Sequence, residues 1–292
     1  MALIYKSFVL SFSVLGRMIW PLLGVFVVAT VIWGILSMLS LGYSDVISGP
    51  ITATFIALMG MRAAFSVLGD NSKTSYDILA LYAVLYGLVL MIAKAGAVLV
   101  SNFSAVIFAD WQLGTAVSVQ NLVNAERALQ SGFALYAISA NIVFTFVLYT
   151  LVHVAMAVPL ASAARRAGHR SKHTGFFHGF GRKFIPLFCV FTLTFFLQFF
   201  FNLISAFFAL LLLFGSFVAM IFFQTVPDFD PEFIITGVLA GLGLIWLHAW
   251  GWTASAMALI DSDQAMSEKQ TKVQAFNPTP ELDLRALRKS RE

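Results

Sequence analysis

Read as a string of apolar and polar positions, the chain is a series of long hydrophobic runs separated by short polar stretches. Runs near Met18–Leu41, Ile78–Val100, Phe133–Ala157, Phe184–Phe223 and Phe233–Leu259 each supply the roughly 20 apolar residues that a membrane-crossing helix needs. A sixth, Ile51–Phe65, is short for a span and has to borrow from Val46–Pro50 or from Ser66–Leu68. The pattern predicts an all-α, polytopic membrane protein of six transmembrane helices. The first run is too long for a signal-peptide core, and no small-residue cleavage site follows it, so it reads as an uncleaved helix.

Three segments have mixed polarity. In residues 3–17, Lys6, Ser13 and Arg17 share one narrow helical face, with Phe8, Val9, Phe12 and Leu15 off it. That predicts an amphipathic helix in the headgroup layer, its cations toward anionic lipid; the alternative is a plain extension of the first span. In residues 110–132, Leu122, Ala125 and Leu129 recur with Glu126 and Arg127 between them, which suggests a second helix on the membrane surface. The tail from Asp261 to Glu292 is polar, and Thr279-Pro280-Glu281 has the form of a helix start for a short helix to Arg288. A membrane domain over 1–260 and a polar tail over 261–292 follow. The run 184–223 carries no formal charge. As one helix it would be about 60 Å long, twice the hydrocarbon thickness, so it either projects or breaks near Asn202–Ser205 or Gly215. The next loop holds Asp228, Asp230 and Glu232 and no base. That suits the outer face and leaves one crossing, with interfacial or projecting residues after Leu210.

Composition agrees with the pattern. Only 11% of residues are charged, against roughly 25% in a soluble domain. The net charge of +4 comes from short loops beside the spans, so it marks orientation and not a nucleic-acid partner. With six crossings, every one of the 18 Lys and Arg except Lys94 and Arg127 lies on the side of the two termini. Asp45, Asp110, Glu126, Asp228, Asp230 and Glu232 lie on the other. The positive-inside rule then places both termini in the cytoplasm, and a bacterial inner membrane is the expected location. A lone cysteine, Cys189, excludes an intrachain disulfide.

Gly16-Arg17-Met18-Ile19-Trp20-Pro21-Leu22 is echoed by Gly181-Arg182-Lys183-Phe184-Ile185-Pro186-Leu187. If the echo is a repeat, the spans form three helical hairpins, although the middle one lacks both the Gly-Arg and the Pro. With its amphipathic opening helix, Gly-Arg…Pro and basic inner loops, the layout over Leu3–Leu259 resembles the six-helix membrane domain of bacterial glycerophosphodiester phosphodiesterases and its free-standing relatives. The soluble phosphodiesterase barrel is absent, so the resemblance implies a fold and no activity.

Candidate chemistry is sparse. Lys94 lies in the third span, where a central cation costs about 2.5–3.5 kcal/mol on insertion scales. Its stem either snorkels to the outer headgroups or meets a partner or cavity inside. His153 and His248 lie in the fourth and sixth spans, where an imidazole can bond a neighbouring helix. No Asp or Glu falls inside a predicted span, which counts against a proton relay. Two histidines make a poor metal site. Asn202 adds a polar position to the fifth span. Gly237, Gly241 and Gly243 suggest a smooth packing face on the sixth. Arg165, Arg166, Arg170, Lys172, Arg182 and Lys183, with His169, His173 and His178 among them, suit anionic headgroups at the inner face or a docked partner. Catalytic and nucleotide-binding motifs are missing, so no catalytic residue, metal or cofactor is expected. The expectation is a non-catalytic structural or accessory membrane component that binds lipid, a membrane partner protein or a second copy. The alternative is a small-solute transporter or channel with Lys94, His153, His248 and Asn202 along its path. That alternative requires Lys94, His153 and His248 to converge on one cavity.

Overall fold

A computed structural model of the chain describes residues 2–40, 44–70, 75–113, 133–165, 180–223 and 231–276. These form α1 (Ala2–Ser40), α2 (Ser44–Val67), α3 (Tyr76–Leu113), α4 (Phe133–Arg165), α5 (Phe180–Val218) and α6 (Pro231–Phe276). Among the described residues there is no strand, and all six helices are long and apolar enough to cross a membrane. Lipid offers no partner for backbone N–H and C=O groups, so a spanning chain satisfies them internally. The protein is an all-α, six-helix integral membrane protein.

Several boundaries differ from the sequence expectation. Residues 3–17 do not form a separate interfacial helix; they are the first turns of α1, continuous through Pro21. Lys6, Ser13 and Arg17 do lie on its exposed side, but Leu3, Ser7, Ser11, Val14 and Met18 form a buried stripe. The stripe packs on α6, where the Trp250 and Trp246 indole N–H groups donate to Ser7 Oγ (3.0 Å) and Ser11 Oγ (2.9 Å). Hydropathy alone counts those serines as polar; in the fold they are the seam. Residues 110–113 belong to α3 and not to a surface helix, and the rest of that predicted segment lies outside the described residues. α4 continues eight residues past Ala157, through Pro159 to Arg165, because Val158, Leu160, Ala161, Ala163 and Ala164 are buried there. α5 breaks neither near Asn202–Ser205 nor at Gly215, and a π-type turn over Ala219–Phe223 extends it. α6 runs past Leu259 and takes the first part of the polar tail into the helix, while residues 279–288 lie outside the described residues. Pro231 opens α6, at a position where a missing N–H costs nothing.

The helices pack by one rule. α2, α4 and α6 touch one another and form an inner triangle. α1 lies against α2 and α6, α3 against α4 and α2, and α5 against α6 and α4. Burial follows this scheme: the most apolar stretches of the even helices are 39, 33 and 33% buried, those of the odd helices 11, 22 and 0%. Three stacked hairpins, each with an outer and an inner helix, would give this arrangement.

Packing is concentrated at the end that holds the starts of the odd helices and the ends of the even ones. The hydrophobic core there joins Val14 and Met18 to Leu58 and Phe65, Leu79 and Ala83, Val154–Ala164, Leu187 and Val190, and Leu247–Leu259. Gly60 makes the closest approach, against the ring of Trp252. Of the three glycines singled out on α6, only Gly243 meets a neighbour, Phe201 of α5, as Gly251 further along meets Phe191; nothing lies within 4 Å of a Cβ built at Gly237 or Gly241. Toward the opposite end, beyond about Lys94 and His153, the described buried residues are Thr150, Ala97, Ser101, Ala105, Ala109, Ala140 and Ala240. All but the last lie on α3 and α4, which are in contact.

That contact is held by small residues and a polar cluster. Ser101 Oγ donates to Asn141 Oδ1 at 2.6 Å and lies 2.7 Å from Thr145 Oγ1. Ser101→Ala is therefore expected to lower stability in detergent by about 0.6–1.7 kcal/mol, the range for hydrogen bonds between membrane helices. In a double-mutant cycle, Asn141→Ala should then cost less in the Ser101→Ala background than alone. Strict additivity would show that the two residues are not coupled.

Candidate functional site

Where the inner triangle opens, all six helices line a cavity of about 340 Å³. Leu22 of α1 closes it between α2 and α6, and Pro50 to Met61 of α2 form one wall. The floor is the top of the hydrophobic core, at Leu160, Leu247 and Trp252. Most of the wall is apolar. Its polar groups are Lys94 from α3, His153 from α4, His248 from α6, Thr194 and Gln198 from α5, and Thr54 from α2.

Each of these side chains is positioned by its own helix. Thr54 donates to the Pro50 carbonyl at 2.7 Å and Thr194 to the Phe191 carbonyl at 3.0 Å, so both hydroxyl protons are used locally. His153 Nδ1 lies 2.8 Å from the Tyr149 carbonyl. A carbonyl only accepts, so Nδ1 carries the proton and Nε2 is left as the free nitrogen of the neutral ring. The ring stands edge-on to Phe195 at 4.7 Å between centroids. His248 stacks on Trp252 at 6.0 Å, with an interplanar angle of 20°. Gln198 Nε2 lies 3.3 and 3.4 Å from its two ring nitrogens, so the amide N–H has an imidazole acceptor within reach. Lys94 is partly buried, and its ammonium lies 5.9 Å from the Tyr149 ring centroid, over the aromatic face.

The three basic side chains singled out in the sequence thus converge on one cavity from three helices. Among the described residues, no Asp or Glu lines the cavity. A single cation among neutral polar groups in an apolar surround gives a positive potential that water screens poorly, which favours an anion. Asn202 does not join them: it is exposed on α5, one turn beyond Gln198. Gln198 is the residue that sequence reasoning missed. The spacing Phe191, Thr194, Phe195, Gln198 is a helical stripe and would have placed it on the inward face.

The proposed docking cations divide differently. Arg165 is not free for headgroups: Nε donates to Asp70 at 2.7 Å, and Nη1 bonds Asp263. Lys183 pairs with Asp261 at 2.6 Å. The continuation of α6 past Leu259 puts Asp261 and Asp263 beside the basic ends of α5 and α4, so these two cations join helices together. Arg182 is exposed, while Arg166, Arg170 and Lys172 lie outside the described residues. Arg17 bonds Ser66 Oγ at 2.7 Å, tying α1 to α2 at the same end.

Among the described residues, no group of three His, Cys, Asp or Glu could hold a metal ion. Compared with family models, with curated proteins and with solved structures, the chain gives no match.

Proposed function

We propose that the protein is a membrane carrier that binds an anionic solute between its six helices, with Lys94 as the principal charge partner and His153, His248 and Gln198 as hydrogen-bonding groups. The observation that supports this reading is the meeting of Lys94, His153 and His248 in one cavity without a lining carboxylate. A snorkelling lysine or two isolated packing histidines would not require such a meeting. The charge distribution supports cytoplasmic termini in a bacterial inner membrane. In that orientation the packed, ion-paired end faces the cytoplasm and the cavity opens toward the outer face. Binding and carriage need no covalent step, so no residue is assigned a catalytic role.

The test is purification from native membranes in mild detergent, for wild type and Lys94→Met. The wild type should carry a small anionic compound that the variant lacks, at equal monodispersity and thermal midpoint. Equal content in the two would overturn the carrier reading. The accessory reading retains one observation in its favour, the fully unburied apolar stretch of α5. A protein that co-elutes with wild type and Lys94→Met alike would support it.

A further inference from the structure

We infer that the anion held in this cavity is the head of an amphiphile, a carboxylate or phosphate joined to a single hydrocarbon chain, and not a hydrated inorganic ion. The inference rests on the reading of the cavity as a ligand site and adds the class of ligand. It follows from what surrounds the polar cluster.

Toward the loosely packed end, α1, α5 and α6 continue past the cavity and offer almost nothing polar, while the Ser101–Asn141–Thr145 cluster of α3 and α4 is engaged within their own contact. On α1 the side chains after Leu22 that stand exposed include Leu23, Phe26, Val27 and Val31. The one described hydroxyl there, Thr30, donates back to the Phe26 carbonyl at 2.8 Å. On α5 the run from Phe199 to Phe222 is exposed hydrocarbon and aromatic surface, broken by Asn202, Ser205 and Ser216. On α6, Ile235, Val238 and Leu239 are exposed in the same way. A hydrated ion travelling along such walls would shed its water without replacement, which apolar surroundings penalise heavily. A hydrocarbon chain suffers no such loss. It can lie along α1, α5 and α6 as lipid does, with its anionic end reaching the cluster.

Size agrees with this. At about 340 Å³ the cavity is at the low end for small-molecule sites, which span roughly 300–1,000 Å³. That holds a compact head and the first carbons of one chain, and a diacyl lipid is too bulky to enter whole. The chemistry at the head is also suitable. Lys94 supplies the charge and the Gln198 amide supplies an N–H, while the His153 ring, its Nδ1 proton committed to Tyr149, forms part of the wall.

The experiment uses the full chain in nanodiscs of zwitterionic phosphatidylcholine and measures equilibrium binding of radiolabelled probes. The probes are laurate, dodecyl phosphate, acetate, inorganic phosphate and dodecyltrimethylammonium. At least one of laurate and dodecyl phosphate should bind saturably and about tenfold or more tighter than acetate, inorganic phosphate and the cationic amphiphile, as expected for one charge-assisted contact plus a buried chain. Lys94→Met, at an unchanged thermal midpoint, should lose about tenfold of that affinity, and Lys94→Arg should keep most of it. If acetate or inorganic phosphate binds as tightly as the long-chain anions and depends on Lys94, the carrier reading stands and the amphiphile inference falls. If no anion of either kind binds saturably, both fall. If dodecyltrimethylammonium competes equally with laurate, the pocket is a grease site and the inference is overturned, a result that needs no variant to fold.

Discussion

Gly60→Ala is expected to destabilise the whole bundle by about 3 kcal/mol or more, the upper part of the range for overpacked cores. A Cβ at Gly60 would lie 2.0 Å from Trp252 Cε3 and 2.3 Å from its Cδ2, far inside contact distance. The indole has nowhere inexpensive to go. It is 7% exposed, stacked on His248, and part of the cavity floor. Relief would come either from separating α2 and α6, two sides of the inner triangle, or from pushing the ring into the cavity. The first loosens the core, and the second removes the ligand site. Thermal unfolding in detergent should show a large fall in midpoint for Gly60→Ala. Gly16→Ala and Gly24→Ala, where nothing lies within 4 Å of the added carbon, should stay within about 0.5 kcal/mol of wild type. Trp252→Leu should recover much of the loss in the Gly60→Ala background. A Gly60→Ala protein as stable as wild type would show that α2 and α6 are further apart than described.

The second large effect is expected at Arg165. Its guanidinium joins three segments, because Nε reaches Asp70 after α2, Nη1 reaches Asp263 on α6, and Arg165 itself ends α4. It also covers the face of Phe65, 5.8 Å from the ring centroid. Arg165→Met removes the cation that bridges two partly buried carboxylates, which should cost about 2 kcal/mol. Arg165→Lys should rescue little, since a single ammonium cannot reproduce two divergent N–H directions. Asp70→Asn with Asp263→Asn should restore part of the stability of Arg165→Met by removing the repulsion. Lys183→Met should cost no more than about 1 kcal/mol, because its partner Asp261 is 39% exposed and surface pairs contribute little. Wild-type stability in Arg165→Lys would show that the fork is not what holds these segments.

These two sites also show what could and could not be read in the chain. The spans were legible because long charge-poor runs have no other stable solution in lipid. Their ends were not. Asp261 and Asp263 look like solvent-facing tail residues until Lys183 and Arg165, about 80 to 100 residues earlier, are known to meet them. Polarity marks where water is tolerated, not where a helix stops. Lys94, His153 and His248 could be singled out one by one because each is rare in a span. Their meeting depends on the order of helices in space, which periodicity within a helix does not carry. Asn202 and Gln198 are one turn apart with similar chemistry, and only the Phe191–Thr194–Phe195 stripe distinguishes the inward residue from the outward one.

The seam between α1 and α6 bears on how the protein is made. Ser7 and Trp250 are 243 residues apart, and Ser11 and Trp246 are 235 apart. The first helix therefore enters the bilayer long before its partner is synthesised. It can wait there without an orphaned polar group, because the Ser7 and Ser11 hydroxyls donate to the Ile4 and Phe8 carbonyls of their own helix, at 3.0 and 2.5 Å. Their oxygen lone pairs stay open for the two indoles that arrive last. Closure of the α1–α6 seam is thus a late, post-insertion event, and a ribosome stalled before α6 leaves five helices with one side of the inner triangle missing.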